Sequence, residues 1–366
     1  MKLSFNKNDL LKSLNIVMKA VPSNTTMPLL KCILIDAQTN DIRFLSNDME
    51  LAIETTVNGS ILDRGVVAID AKIFYEIVRK LPDDLIDIDV NDRFIATIKC
   101  GKAVFNIPAQ DPSDFPYPPM IEREFSIGIS QFTLKEMIRE TIFSLNMMEN
   151  NKLMTGEMFE IKNNVLRIVA LDGHRIAIRK LQLGMNYDNT RVVVPGKALS
   201  EVSKILSDNI DDQVKIYFTD NHILFAFDET VVYSRLIEGD YFHIDNMLSG
   251  DFQTKVSIGK KEFQECIERA SLLVKEGDNK PIILNVSDGY MEMSVNSSFG
   301  SMNESAEIEK EGNDLRIGFN PKFLIDALKV IDEEKITLYM LNRKAPCYIK
   351  DEEENYIYLI LPVNIL

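Results

Sequence analysis

The feature that most constrains this chain is a long-period repeat. "IDAKIFYEIVRKL" from Ile69, "VPGKALSEVSKIL" from Val194 and "FNPKFLIDALKVI" from Phe319 start 125 residues apart both times. Each opens on a strand-like apolar residue. Asp, Pro or Asn follows where a helix N-cap or first turn falls, and then an apolar helical period. A second set aligns without gaps: "LSFNKNDLLKSLNIVMKAV" from Leu3, "IGISQFTLKEMIRETIFSL" from Ile127 and "VSIGKKEFQECIERASLLV" from Val256. It predicts a short strand followed by a helix of about four turns. A third set, "DIRFLSNDMELAI", "VLRIVALDGHRIAI" and "YMEMSVNSSFGSM", reads as strand, turn, strand, with Asp48 and Asp172 in equivalent places. Each copy closes on an apolar strand, and "QDPSDFPYPP" and "EGDYFHIDNML" read as linkers. The period is far too long for a solenoid, so the copies are tandem domains. The predicted fold is α+β, with three similar domains over 1–122, 123–249 and 250–366. Each has two helices packed on antiparallel sheets, and 366 residues leave each domain room for its own core.

The net charge of −15 argues, as a bare sum, against a nucleic-acid partner. The repeat shows where the positive charge sits. Lys72, Lys197 and Lys322 share one register, and Arg79, Lys204 and Lys329 share another seven residues on. Seven helical residues turn about 700°, so each pair lies on one helix face. Lys and Arg make up 41 of 366 residues, too few for six matched positions to be an accident of composition. Lys12, Lys135 and Arg139 on the first helices add to the set, diluted by Glu136 and Glu140. A charge run is ordinarily a solvated face. An acidic chain with basic residues in threefold register instead reads as one surface meeting a polyanion. Helices packed about 10 Å apart allow a size argument. Six in a circle leave a hole of about 9 Å, whereas twelve leave about 28 Å, enough for a duplex about 20 Å across. Two chains could encircle DNA and one could not.

No apolar run approaches the roughly 20 residues of a membrane span. The opening "MKLSFNKNDLLKSL" lacks the apolar segment of a secretory signal, which predicts a cytoplasmic protein. Cys32, Cys100, Cys266 and Cys347 have no metal-site spacing and are expected as buried reduced thiols.

At this point the residues resemble a known family, the bacterial DNA polymerase III beta subunits or sliding clamps. "MPLLKCILI", "LDGHRIA", "FNPKFLIDALK" and the terminal "YLILPVNIL" carry the resemblance, in family order and over the whole length. It implies a DNA-clamp fold and a head-to-tail homodimeric ring of six domains around double-stranded DNA. Such a ring tethers the replicative DNA polymerase and serves the clamp loader, repair polymerases and mismatch-repair proteins. No cofactor or metal is implied. The resemblance also implies a groove for short linear peptides between domains two and three. Its walls would be Met154, Leu171, Gly173, His174, Arg175, Ile176, Phe242, Asn246, Met247, Pro346, Leu359, Leu361, Pro362 and Val363. An apolar pocket with a few orienting polar groups suits that task. The dimer would join Phe105 and Ile107 to Leu272 and Leu273 of the partner subunit. The chain departs from the family pattern at Asn24, at Phe242-His243, at Asn246, in the loop 147–154 and in the "NIL" tail.

The rival reading is a hydrolase using Asp172 and His174 as a general-base pair. The chain has three histidines and no G-x-S-x-G, H-E-x-x-H, Walker A or G-x-G-x-x-G motif. "DIDVND" at 87–92 starts like a calcium loop, but Asp92 stands where glycine is required.

Overall fold

The computed structural model describes residues 1–121, 123–146, 148, 150–248, 251–274 and 280–365. The domain limits expected at 122, 249, 250 and 366 lie outside the described residues, as do Met147 and Glu149 of the 147–154 loop. The described residues hold six α-helices. These are α1 (Lys7–Val17), α2 (Ala71–Lys80), α3 (Gln131–Arg139), α4 (Gly196–Ser203), α5 (Lys260–Ser271) and α6 (Pro321–Val330). None is long and apolar enough to cross a membrane.

The repeated cap residues act as their chemistry requires. The Asp70 carboxylate accepts from the Ile73 N–H at 2.9 Å, and the Asn320 side chain accepts from the Lys322 N–H at 3.0 Å. Pro195 holds the same register before α4 but has no side-chain acceptor to offer. Helix α2 buries Ala71, Phe74 and Val78, and α6 buries Leu324, Ala327 and Leu328, each at helical spacing. The first helices are shorter than the predicted four turns, at 11, 9 and 12 residues for α1, α3 and α5. At the end of α3, the Thr141 hydroxyl donates to the Met137 carbonyl at 2.7 Å and draws the chain into a 3₁₀ turn, Ile142–Ser144.

The chain packs into two compact units, Met1–Lys135 with Ala198–Leu236, and Glu136–Lys197 with Ile237–Leu366. Three sequence repeats thus give two units, with the middle repeat contributing to both. In the first unit a 13-stranded sheet runs through strand Thr230–Arg235 into strand Leu51–Val57. In the second a 9-stranded sheet runs through strand Arg175–Gln182 into strand Tyr356–Ile360, and a separate sheet has 4 strands. Every strand pairing among the described residues is antiparallel, including each of these two joints. The closing strands of the second and third repeats therefore each pair with the turn-bearing strand of the repeat before. The four cysteines are buried free thiols, and burial pushes Cys32 up to about 11.

Candidate functional site

Strand Val165–Leu171 turns through Asp172, Gly173 and His174 into strand Arg175–Gln182. One Asp172 carboxylate oxygen accepts from the backbone N–H of His174 at 3.0 Å and of Arg175 at 3.1 Å. The other accepts from Arg175 Nε at 2.9 Å. Gly173 sits at φ +84°, where a side chain would be strained. The His174 ring stacks on Phe323, with centroids 6.0 Å apart. Asp172 therefore meets His174 through the backbone, and both of its oxygens are engaged. This is an Asx turn rather than an acid–base pair, and the hydrolase reading falls with it.

Arg175 is 6% exposed. Its Nη1 donates to Asp326 at 2.7 Å and its Nη2 to the Phe143 carbonyl at 2.6 Å. The Phe323 and Phe143 ring centroids lie 4.6 and 5.4 Å from the guanidinium carbon. Its hydrogen-bonding capacity is thus largely spent inside the protein.

Beside this turn lies a cavity of about 560 Å³ with mostly apolar walls. The structure brings together there Met154, Leu171, Gly173, His174, Arg175, Ile176, Phe242, Asn246, Met247, Pro346, Leu359 and Leu361. Pro362 and Val363 are not in the lining. The Leu361 N–H donates to the His174 carbonyl at 2.9 Å, and the Val363 N–H then donates to Gly318 at 2.8 Å, which carries the tail away. Sequence reasoning missed Ile244 and Tyr348. Tyr348 stands two residues from the expected Pro346, at the start of strand Cys347–Lys350, where period-two alternation could have found it. Ile244, whose N–H donates to the Phe242 carbonyl at 3.0 Å, sits in a tight turn and carries no such signal. Tyr348 Oη donates to the Met247 carbonyl at 2.6 Å, and Arg167 binds Asp245 at 2.6 Å, so the linker is pinned over the cavity. The Arg167 hydrogen bond holds the Asp245 carboxyl below its ordinary range.

Three family models, for the N-terminal, central and C-terminal domains of the DNA polymerase III beta subunit, match residues 1–119, 128–243 and 246–364. The chain belongs to the DNA polymerase III beta-subunit family. The beta sliding clamp of Halalkalibacterium halodurans is 36% identical over 96% of this chain and 97% of its own length. That of Staphylococcus aureus is 34% identical over 100% and 99%. A solved Eubacterium rectale structure assigned as a DNA polymerase III beta subunit is 59% identical, with a TM-score of 0.97 and both chains fully covered. The Bacillus subtilis DNA polymerase sliding clamp is 34% identical, with a TM-score of 0.96 and the same full coverage.

In this chain the basic residues on or beside the helices divide. Lys12, Lys72, Arg79, Lys197, Lys204, Lys322 and Lys329 are exposed, whereas Lys135 and Arg139 are half-buried. Lys135 binds Asp208 at 2.5 Å, and Arg139 binds Glu136 at 2.6 Å and Asp332 at 3.0 Å. The carboxylates of Glu136, Glu140 and Asp332 close around Arg139, which makes the cluster an ion-pair network rather than a place for a metal. Burial pushes the Glu140 carboxyl up to about 7 against the pull of Arg179 and Arg139.

Of the residues expected at a dimer contact, Phe105 is 39% exposed and Leu272 82%, while Ile107 and Leu273 are half-buried. Phe105 borders a cleft of about 570 Å³ with Ile73, Ile77 and the stems of Lys72 and Lys80. Strand Ala103–Gln110 pairs with strand Val66–Asp70 only at Ala109 and Gln110, so much of one edge is open. Strand Gly300–Glu307 is likewise an outer strand of its sheet.

Proposed function

We propose that this chain is a DNA sliding clamp that works by binding and enclosure, without a reaction of its own. The observation that carries the reading is the apolar cavity at the 171–176 turn, in a chain that matches the family end to end. Two copies would close head to tail around duplex DNA in the cytoplasm. The cavity would hold short peptides of the replicative polymerase, the clamp loader, repair polymerases and mismatch-repair proteins. Two buried apolar anchors supply about 3–6 kcal/mol, less the cost of ordering the peptide, so polar contacts along the peptide would supply the rest of the about 8 kcal/mol of a micromolar site. Such partners can exchange.

The exposed cations on α1, α2, α4 and α6, with Lys204 in the turn just past α4, support a DNA-facing role for Lys12, Lys72, Arg79, Lys197, Lys204, Lys322 and Lys329. Lys135 and Arg139 would add less, since they are half-buried as well as held by acids, whereas Arg79 and Lys204 pair with Glu76 and Glu201 and stay exposed. Domain limits of 1–122, 123–249 and 250–366 suit this ring. The exposed Leu272, with Leu273, has the apolar character to enter the cleft beside Phe105 and Ile107 of a partner subunit. Open strand edges at 103–108 and 300–307 favour the same pairing, because an uncovered edge invites a strand.

The test is loading onto nicked circular DNA. A clamp stays bound through a salt wash and slides off once the circle is cut, while a protein held by direct contacts is stripped by salt. Sedimentation should give a dimer of about 83 kDa, twice the 41.7 kDa chain.

A further inference from the structure

We propose that Asp326 on α6 is a positioning residue for the groove. It holds the Arg175 guanidinium, and through it the 171–176 wall against which a peptide docks. The proposal rests on the peptide reading of the cavity.

The argument starts from the repeat. Glu76, Glu201 and Asp326 hold one register in α2, α4 and α6. Glu76 pairs with Arg79 of its own helix at 2.6 Å, and Glu201 with Lys204 at 2.7 Å. Asp326 instead lies 2.7 Å from Arg175, 151 residues away in sequence. In the third copy alone, among these helix acids, the charge is turned from the helix surface to a buried arginine. A guanidinium only 6% exposed needs its anions, because removing one leaves buried charge uncompensated.

What Arg175 holds is the groove wall. Asp172 clamps the Arg175 Nε and the two backbone N–H groups of the turn. Ile176 pairs in register with Leu359, and the Leu361 N–H is held by the His174 carbonyl. Phe323, one turn before Asp326, lies under both the guanidinium and the His174 ring. Two wall residues, His174 and through its carbonyl Leu361, thus depend on the turn that Arg175 fixes, while Leu171 and Ile176 pair with each other across the base of that turn. Freeing it adds an ordering cost to every binding event.

The experiment uses the full-length protein, Asp326→Asn, and a labelled peptide with Gln followed by a Leu-Phe end. Asp326→Asn keeps the shape and removes the charge. Its peptide affinity should fall about tenfold, the scale of freeing one rotamer-rich side chain, with the sedimenting species unchanged. The chain has only three histidines, so His174 can be followed by proton NMR. Its ring signals should lose their Phe323 ring-current shift in the variant before any peptide is added, which a purely global loss of stability would not produce. Phe323→Leu, which keeps apolar volume, should weaken binding and shift His174 in the same way. Wild-type binding with unchanged affinity in both variants would overturn the proposal while leaving the peptide reading intact. A wild type that binds no such peptide would remove both.

Discussion

The Asp48 and Asp172 turns are built alike and surrounded differently. Asp48 accepts from the N–H groups of Glu50 at 3.0 Å and Leu51 at 2.7 Å, as Asp172 does from His174 and Arg175. Met49 at φ +78° stands where Gly173 stands at +84°. The flanks then part. Before the first turn is Asn47, whose amide donates to the Pro116 carbonyl at 2.7 Å and ties the linker down. Before the second is Leu171, an apolar wall. After the first comes Leu51, 3% exposed, where the second has Arg175 with its ring of partners. An aspartate at this place makes the turn, and its neighbours decide whether a cavity opens beside it.

The largest effect should come from charging that wall. Leu171→Asp buries an unpaired carboxylate and should weaken peptide binding at least about a hundredfold in an anisotropy titration. Asn47→Leu, in the copy without an assigned groove, should leave affinity unchanged. Ending the chain before Leu361 should abolish binding in the same assay.

Next in size is a change outside both turns. Changing Leu272 and Leu273 together to Asp should give monomers by sedimentation, a dimer weakened about a hundredfold or more. Peptide affinity should persist, because every residue lining the cavity comes from one chain. A variant that stays dimeric would show that the dimer joins elsewhere.

The strands beneath the turns differ too. Ile33 and Glu157 pair at the same register with Ile69 and Val194, and both are fully buried. Burial holds the Glu157 carboxyl well above its ordinary range, against one hydrogen bond from Thr141 at 3.1 Å. Its folded pKa is raised, so its contribution is present below the unfolded value, about 4.3, and is lost as pH rises toward the folded one. Glu157→Gln should therefore flatten the fall of melting temperature with pH above the ordinary carboxylate range. It should gain about 2–4 °C at pH 8.

The smallest effect is in the turns themselves. Met49→Gly should stabilise by about 0.5 kcal/mol, left-handed strain relieved less the added chain entropy, and Gly173→Ala should cost about 1 kcal/mol. Denaturant melts of the two variants would show opposite shifts of midpoint.

Local chemistry alone determined much of this protein. The helix caps at Asp70 and Asn320, the seven-residue spacing of exposed cations and the Asp172 turn all depend on residues within a few positions of one another, and the recurrence of such patterns along the chain marks the three copies. The family resemblance supplied the groove list, and the structure carries the tail at Val363 toward Gly318. Only the tertiary structure decided that Asp326 would meet Arg175, that Asp332 would hold Arg139, and that Glu157 would lie fully buried. Each of those depends on which distant residue ends up within 3 Å or so of a charge, or on how much water is excluded around it. Neither periodicity nor capping encodes that, because such contacts form only when separately legible elements pack together.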